Sequence, residues 1–121
     1  MDYEAILNEA HAAAAEAIKT VSIYMDENKG ACGFAWVMIG GNDPLARYCR
    51  KMIKFNSTEP EAVRRNLDRP YGSKGYPTGW QFWNPGNHNG QRVDIKEAGA
   101  KAFAMSLAKH GIRADWSSRL D

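Results

Sequence analysis

The chain has 121 residues, 44% of them hydrophobic and 25% charged, with a formal net charge of +2. That length serves one hydrophobic core and not two, and the composition excludes both a disordered chain and a strongly basic chromosome-coating protein. No apolar run reaches the roughly 20 residues needed to cross a bilayer. Met1-Asp2-Tyr3-Glu4 lacks the basic-then-apolar start of a signal peptide, so a cytoplasmic location without a membrane partner is expected.

A helix is predicted from residue 3 to about 20, within an N-terminal region 1–24. Asp2 can cap it, and Ile6, Leu7, Ala10, Ala14, Ala17, Ile18 and Val21 recur at helical spacing. Ala12 to Ala15 are consecutive, and such small side chains permit close approach to a neighbouring surface. Asp26-Glu27 falls in a turn with Asn28 and Lys29, where solvation explains the carboxylates. A strand follows from Cys32 to Ile39, with Phe34, Trp36 and Met38 on one side and Ala35, Val37 and Ile39 on the other. Both faces are apolar, so both are expected to be covered, one by helices and the other by a second subunit.

Asp43 caps a short helix with Pro44 in its first turn, Leu45, Tyr48, Cys49 and Met52 inward, and Arg47, Arg50 and Lys51 towards water. Thr58 and Glu61 resemble a capping box for another helix through Leu67. Residues 68–78 read as a long exposed loop, so that 56–78 form a basic loop and short-helix region. Gly79 to Trp83 make a second strand, ended by Asn84-Pro85-Gly86. Asp94 and Glu97 form a capping box for a helix that ends near Gly111, and a last strand runs from Ile112 to about Trp116. The order predicts a single α+β domain with a small, mainly antiparallel sheet packed against helices, and an oligomeric assembly.

No phosphate loop, zinc-protease helix or nucleophile elbow occurs, and no nucleophile stands beside a general base, so an enzyme is not expected. Cys32 and Cys49 read as buried thiols, and with His11, His88 and His110 they make no metal-ligand spacing, so neither a metal nor a cofactor is expected. Charge is uneven: residues 1–41 carry −4, 42–74 carry +4 and 75–121 carry +2, which suits an anionic partner as well as a solvated basic face. Region 79–121 collects what a nucleotide requires. Trp80, Phe82 and Trp83 offer rings for a base; Asn89 and Gln91 offer amides; Arg92, Lys109 and Arg113 offer cations for phosphate. Each of these also has an ordinary structural reading, the rings in the core and the cations in water.

Four segments carry a family resemblance: Cys32-Gly33-Phe34-Ala35-Trp36-Val37; Tyr76-Pro77-x-Gly79-x-x-Phe82-Trp83; Asp94-x-Lys96-Glu97-Ala98-x-Ala100-x-Ala102-Phe103-Ala104; and Ser118-Arg119-Leu120-Asp121. Over residues 32 to 121 the chain resembles small phage accessory proteins, among them the first-described Thoeris anti-defence family of signal sponges. The resemblance implies a non-catalytic sponge in the infected bacterial cell, sequestering glycocyclic ADP-ribose, and also cyclic oligonucleotides, in a dimer or hexamer. It places Phe82, Arg92 and Arg113 in the pocket, with Arg92 directly after Gln91 and the lysine at 109 as departures from the family pattern. The loop from 56 to 75 is longer than in typical relatives, and is expected to add a basic rim through Arg64, Arg65 and Arg69. The alternatives are a small nucleic-acid-binding protein, disfavoured by the modest charge excess, and a phage inhibitor that docks a host protein.

Overall fold

Asp2 accepts a hydrogen bond from the Ala5 amide at 3.0 Å and starts helix α1 (Tyr3–Ser22). The computed structural model describes residues 1–61, 63 and 69–121, and of Arg69 the backbone only. After α1 come strand β1 (Gly33–Ile39), helix α2 (Pro44–Phe55), strands β2 (Ser73–Lys74) and β3 (Trp80–Trp83), helix α3 (Val93–Lys109) and strand β4 (Ala114–Leu120). The strands form one antiparallel sheet in the order β2-β3-β1-β4. The α+β class and the antiparallel sheet are as the sequence predicts. Among the described residues, no helix is long and apolar enough to cross a membrane.

The alternation of β1 sets the layers. Ala35, Val37 and Ile39 are buried towards the helices, and opposite them Phe82 and Trp80 of β3 face the same way. Helices α1 and α3 cover this face, with Leu7, Ile95, Phe103 and Leu107 fully buried. The alanine stripe permits close approach, as its composition suggested: Ala10 and Ala14 are fully buried, and a Cβ added to Gly86 would lie 3.0 Å from the Ala14 backbone. Helix α3 ends in a glycine-capped turn. Gly111 takes φ +76, its amide donates to Ala108, and the Ile112 amide donates to Leu107.

Several local expectations differ from the structure. Helix α3 has Arg92 at its N-cap with no side-chain cap; Asp94 instead accepts from Arg92 Nε and the Ile95 amide, and Glu97 accepts from Ser118. The last strand continues to Leu120, because the tail pairs with β1 along its whole length, from Ile39 opposite Ala114 to Gly33 opposite Leu120. The expected loop 68–78 contains a 3-10 turn (Arg69–Tyr71) and β2, with Tyr71 buried against the core. Thr58 ends a 3-10 turn (Asn56–Thr58), while most of the helix expected up to Leu67 lies outside the described residues. Cys32 is exposed and Cys49 buried, and both are free thiols.

Candidate functional site

The rings and cations assembled from the sequence do not converge. Trp80 is only 7% exposed and Phe82 only 2%, so both are core residues. Trp80 Nε1 donates to the Tyr71 carbonyl at 2.7 Å, and Arg50 lies over its ring at 5.6 Å. Phe82 packs on Phe103 and His11. A buried ring held on all sides cannot receive a base without unpacking the core.

The cations separate along α3. Arg92 stands at its start and Arg113 beyond its end, with 17 helical residues between them, which at ~1.5 Å each is about 25 Å. Arg92 is committed to local structure: Nε donates to Asp94 at 2.7 Å and Nη1 to the Asp26 carbonyl at 2.7 Å. Its pKa is pushed upwards, chiefly by the bond to Asp94. Lys109 donates to Glu9 at 2.8 Å in an exposed ion pair. Arg113 lines an open crevice of about 770 Å³ with Gly40, Gly41, Asp43 and Asp115, where two carboxylates oppose an anion. Asn89 and Gln91 are exposed. Arg64 and Arg65 lie outside the described residues, as does the side chain of Arg69.

Glu27, read from the sequence as merely solvated, organises the segment before α3. Its carboxylate accepts from the amides of Gln91 and Arg92 and from His88 Nε2 at 2.8 Å. These bonds hold its pKa below the usual carboxylate range, the Arg92 amide contributing most. This arrangement fixes Arg92 and Gln91 as loop structure.

Trp83 behaves differently from its neighbours on β3. It is 47% exposed and sits on the sheet face turned away from the helices. There it stacks on Trp36, its partner across β1, with centroids 5.4 Å apart and planes 10° from parallel. The Phe34 ring centroid lies 5.6 Å from that of Trp83. Both faces of β1 are apolar, as expected, yet among the described residues only one of them is covered. The helices cover the side of Ala35, Val37 and Ile39; Phe34, Trp36 and Met38 remain half-buried on an open face.

Two cations meet this aromatic row. Arg119, opposite Phe34 on β4, holds its guanidinium 5.5 Å from the Phe34 centroid. Lys96, 6% exposed, reaches from α3 to donate to the Gly33 carbonyl at 2.9 Å, and its Nζ lies 5.0 Å from the same ring. Among the described residues neither has a carboxylate within ion-pair distance. The face thus offers flat apolar rings beside uncompensated positive charge. An aromatic anion fits both features, since the rings take its flat part and Arg119 its charge. Sequence reasoning missed Phe34, Trp36, Lys96 and Arg119. The available signal was the i, i+2 pair Phe34 and Trp36, on a strand whose opposite face already had enough small apolar residues to serve as the core side. Among the described residues no group of three His, Cys, Asp or Glu side chains could hold a metal ion.

No family model matches the chain, and neither the curated proteins nor the solved structures contain a significant match.

Proposed function

We propose that this protein binds a phosphorylated nucleoside on the open sheet face and holds it without chemical change. The base stacks on Trp36 and Trp83, and phosphate is held by Arg119 in the field of Lys96. The observation that carries this reading is the parallel Trp36–Trp83 pair on the face turned away from the helices, next to a guanidinium with no carboxylate partner among the described residues. Stacking of a base on an aromatic side chain contributes about 1–3 kcal/mol.

The sequence resemblance narrows the ligand to glycocyclic ADP-ribose, with cyclic oligonucleotides as a second candidate, and the role to a phage anti-defence sponge in the host cytoplasm. A sponge acts by mass action, so its dissociation constant must lie below the signal concentration; nanomolar binding corresponds to about −12 kcal/mol. In a dimer or hexamer, as the resemblance implies, a second subunit would close the open face over the ligand.

The test is calorimetric titration with glycocyclic ADP-ribose, followed by heat denaturation and mass analysis of what is released. Intact ligand supports the proposal; ADP-ribose or AMP in the supernatant makes the protein an enzyme. A single-stranded nucleic acid presents the same bases and phosphates, and the openness of the face favours it as the second reading. It predicts oligonucleotide binding that weakens steeply with added salt.

A further inference from the structure

Strand β4 is the last in the sheet order, and its outward edge is unused. The Asp121 amide donates to the Cys32 carbonyl at 3.0 Å. Alternation from that pair directs the backbone groups of Arg119, Ser117 and Asp115 towards β1, and those of Ala114, Trp116, Ser118 and Leu120 outward. Among the described residues no backbone hydrogen bond reaches these outward groups. Free edges are ordinarily blunted by shortness, a proline or a bulge. β4 has seven residues, no proline and an unbroken register with β1.

The side chains of β4 divide in the same way. Ser118 donates to Glu97 of α3, so Trp116 and Leu120 share the helix side of the sheet, and both are exposed. Asp115, Ser117 and Arg119 lie on the opposite side and are also exposed. Among the described residues Asp115 and Arg119 have no ion-pair partner. Four positions apart on one strand, at ~3.3 Å each, they are about 13 Å from one another and cannot pair within the chain.

We infer that β4 pairs antiparallel with β4 of a second copy of this chain, about a two-fold axis through Ser117. Hydrogen bonds form only where outward groups meet outward groups, so the axis must pass through a residue and not between two. Placed at Ser117 it overlaps the whole strand. Trp116 exchanges hydrogen bonds with Ser118 of the second copy, and Ala114 with Leu120. Asp115 then faces Arg119 of the second copy in a pair without backbone hydrogen bonds, where opposed Cα atoms come closest, about 4.5 Å, and symmetry repeats the ion pair. The neighbouring registers oppose like charges. An axis at Trp116 sets Arg113 against Arg119, and one at Ser118 sets Asp115 against Asp121. On the helix side, Leu120 meets Ala114, and Trp116 lies diagonal to Trp116 and Leu120 of the second copy, within reach of an aromatic ring. The pairing extends the sheet sideways and leaves Phe34, Trp36 and Trp83 open, so a subunit that closes that face does so through a different contact. A carboxylate engages two of the five guanidinium N–H groups, and the rest of Arg119 stays available to phosphate.

The experiment is native mass spectrometry and sedimentation of the whole protein without added ligand, which should give a dimer or a multiple of it. Asp115→Arg and Arg119→Asp should each weaken dimerisation by about tenfold or more, because both symmetric pairs become repulsive. The double variant carrying both exchanges should restore it, which two residues too far apart to meet in one chain can do only across an interface. Urea unfolding checks that each variant is folded. In a Cys32→Ser background, Ser117→Cys should oxidise to a covalent dimer, since about 4.5 Å between opposed Cα atoms lies within the ~4.4–6.8 Å that a disulfide spans; Arg119→Cys, which does not face itself, should not. A monomer or trimer at micromolar concentration, single exchanges without effect, a folded double variant that stays dissociated, or equal cross-linking at 117 and 119 overturns the inference. The double variant also separates this pairing from the proposed function: it restores the dimer while the Arg119 contact with phosphate remains lost.

Discussion

Phe82 and Trp83 are adjacent on β3, yet replacing each by alanine should act on different quantities. Phe82 is enclosed by Phe103, His11 and the β1 core face, and truncating such a ring costs about 3–5 kcal/mol of stability. Trp83 touches Phe34 and Trp36 but is half exposed; two ring contacts at about 0.5–1.5 kcal/mol each put its loss near 1–3 kcal/mol. For ligand binding the order reverses. Losing one stacking surface costs about 1–3 kcal/mol, a weakening of about 5- to 150-fold at 1.4 kcal/mol per factor of ten. Urea unfolding measures the first quantity and calorimetric titration with glycocyclic ADP-ribose the second. Folded Trp83→Ala protein that still binds within about twofold of the original would refute the stacking platform, since the estimate allows no such value.

Arg119→Ala should weaken a phosphorylated ligand and leave the urea midpoint nearly unchanged, because among the described residues the guanidinium has no ion-pair partner to lose; a midpoint shift comparable to that of Phe82→Ala would show that it holds the fold instead. Glu27 has a lowered pKa in the fold, so its contribution is complete above the unfolded carboxylate value of about 4.3 and fades as pH falls through the lower folded value. Glu27→Gln should therefore lower the melting temperature at pH 7 and remove part of the acid-side loss, as thermal scans from pH 7 to pH 2 would report. Gly86→Ala should destabilise by about 1–3 kcal/mol, since φ is +89 and a Cβ would lie 2.5 Å from Ile18 Cδ1; an unchanged urea midpoint would contradict the close packing of α1. Burial pushes the Cys49 thiol up to about 12, while Cys32 is exposed, so alkylation at pH 8 should modify one cysteine in the native protein and two in denaturant, by mass spectrometry.

Much of the fold was legible because local signals agreed with packing. Asp2, Asp43 and Gly111 mark helix ends in the sequence, and each acts there in the structure. The alternation of Ala35, Val37 and Ile39 with Phe34, Trp36 and Met38 identified two faces of β1. What it could not decide was which face the helices would take. In three dimensions the helices take the face of Ala35, Val37 and Ile39, which joins Phe82 and Phe103 in one buried core that also contains Ala10 and Ala14 of α1. Glu27 was misread because its partners, Gln91 and Arg92, are more than sixty positions away. Arg92 was misread for the same reason, as Asp26 reaches it only through the fold.

The misplaced site follows from one ambiguity of strands. Three aromatic residues within Trp80–Trp83 look like one cluster in sequence, but the period of two divides them between opposite sides of the sheet. Pairing with β1 then gives each its company: Trp80 and Phe82 join Ile39 and Val37 in the core, while Trp83 joins Trp36 outside. A cation becomes available to a ligand only where the fold leaves it without a carboxylate, which spends Arg92 on Asp94 and Lys109 on Glu9, and leaves Arg119 beside Phe34. The nucleotide binding proposed above therefore belongs to the opposite side of the sheet from the residues that suggested it. There, exposed rings and unpaired charge coincide on surface that the core does not need.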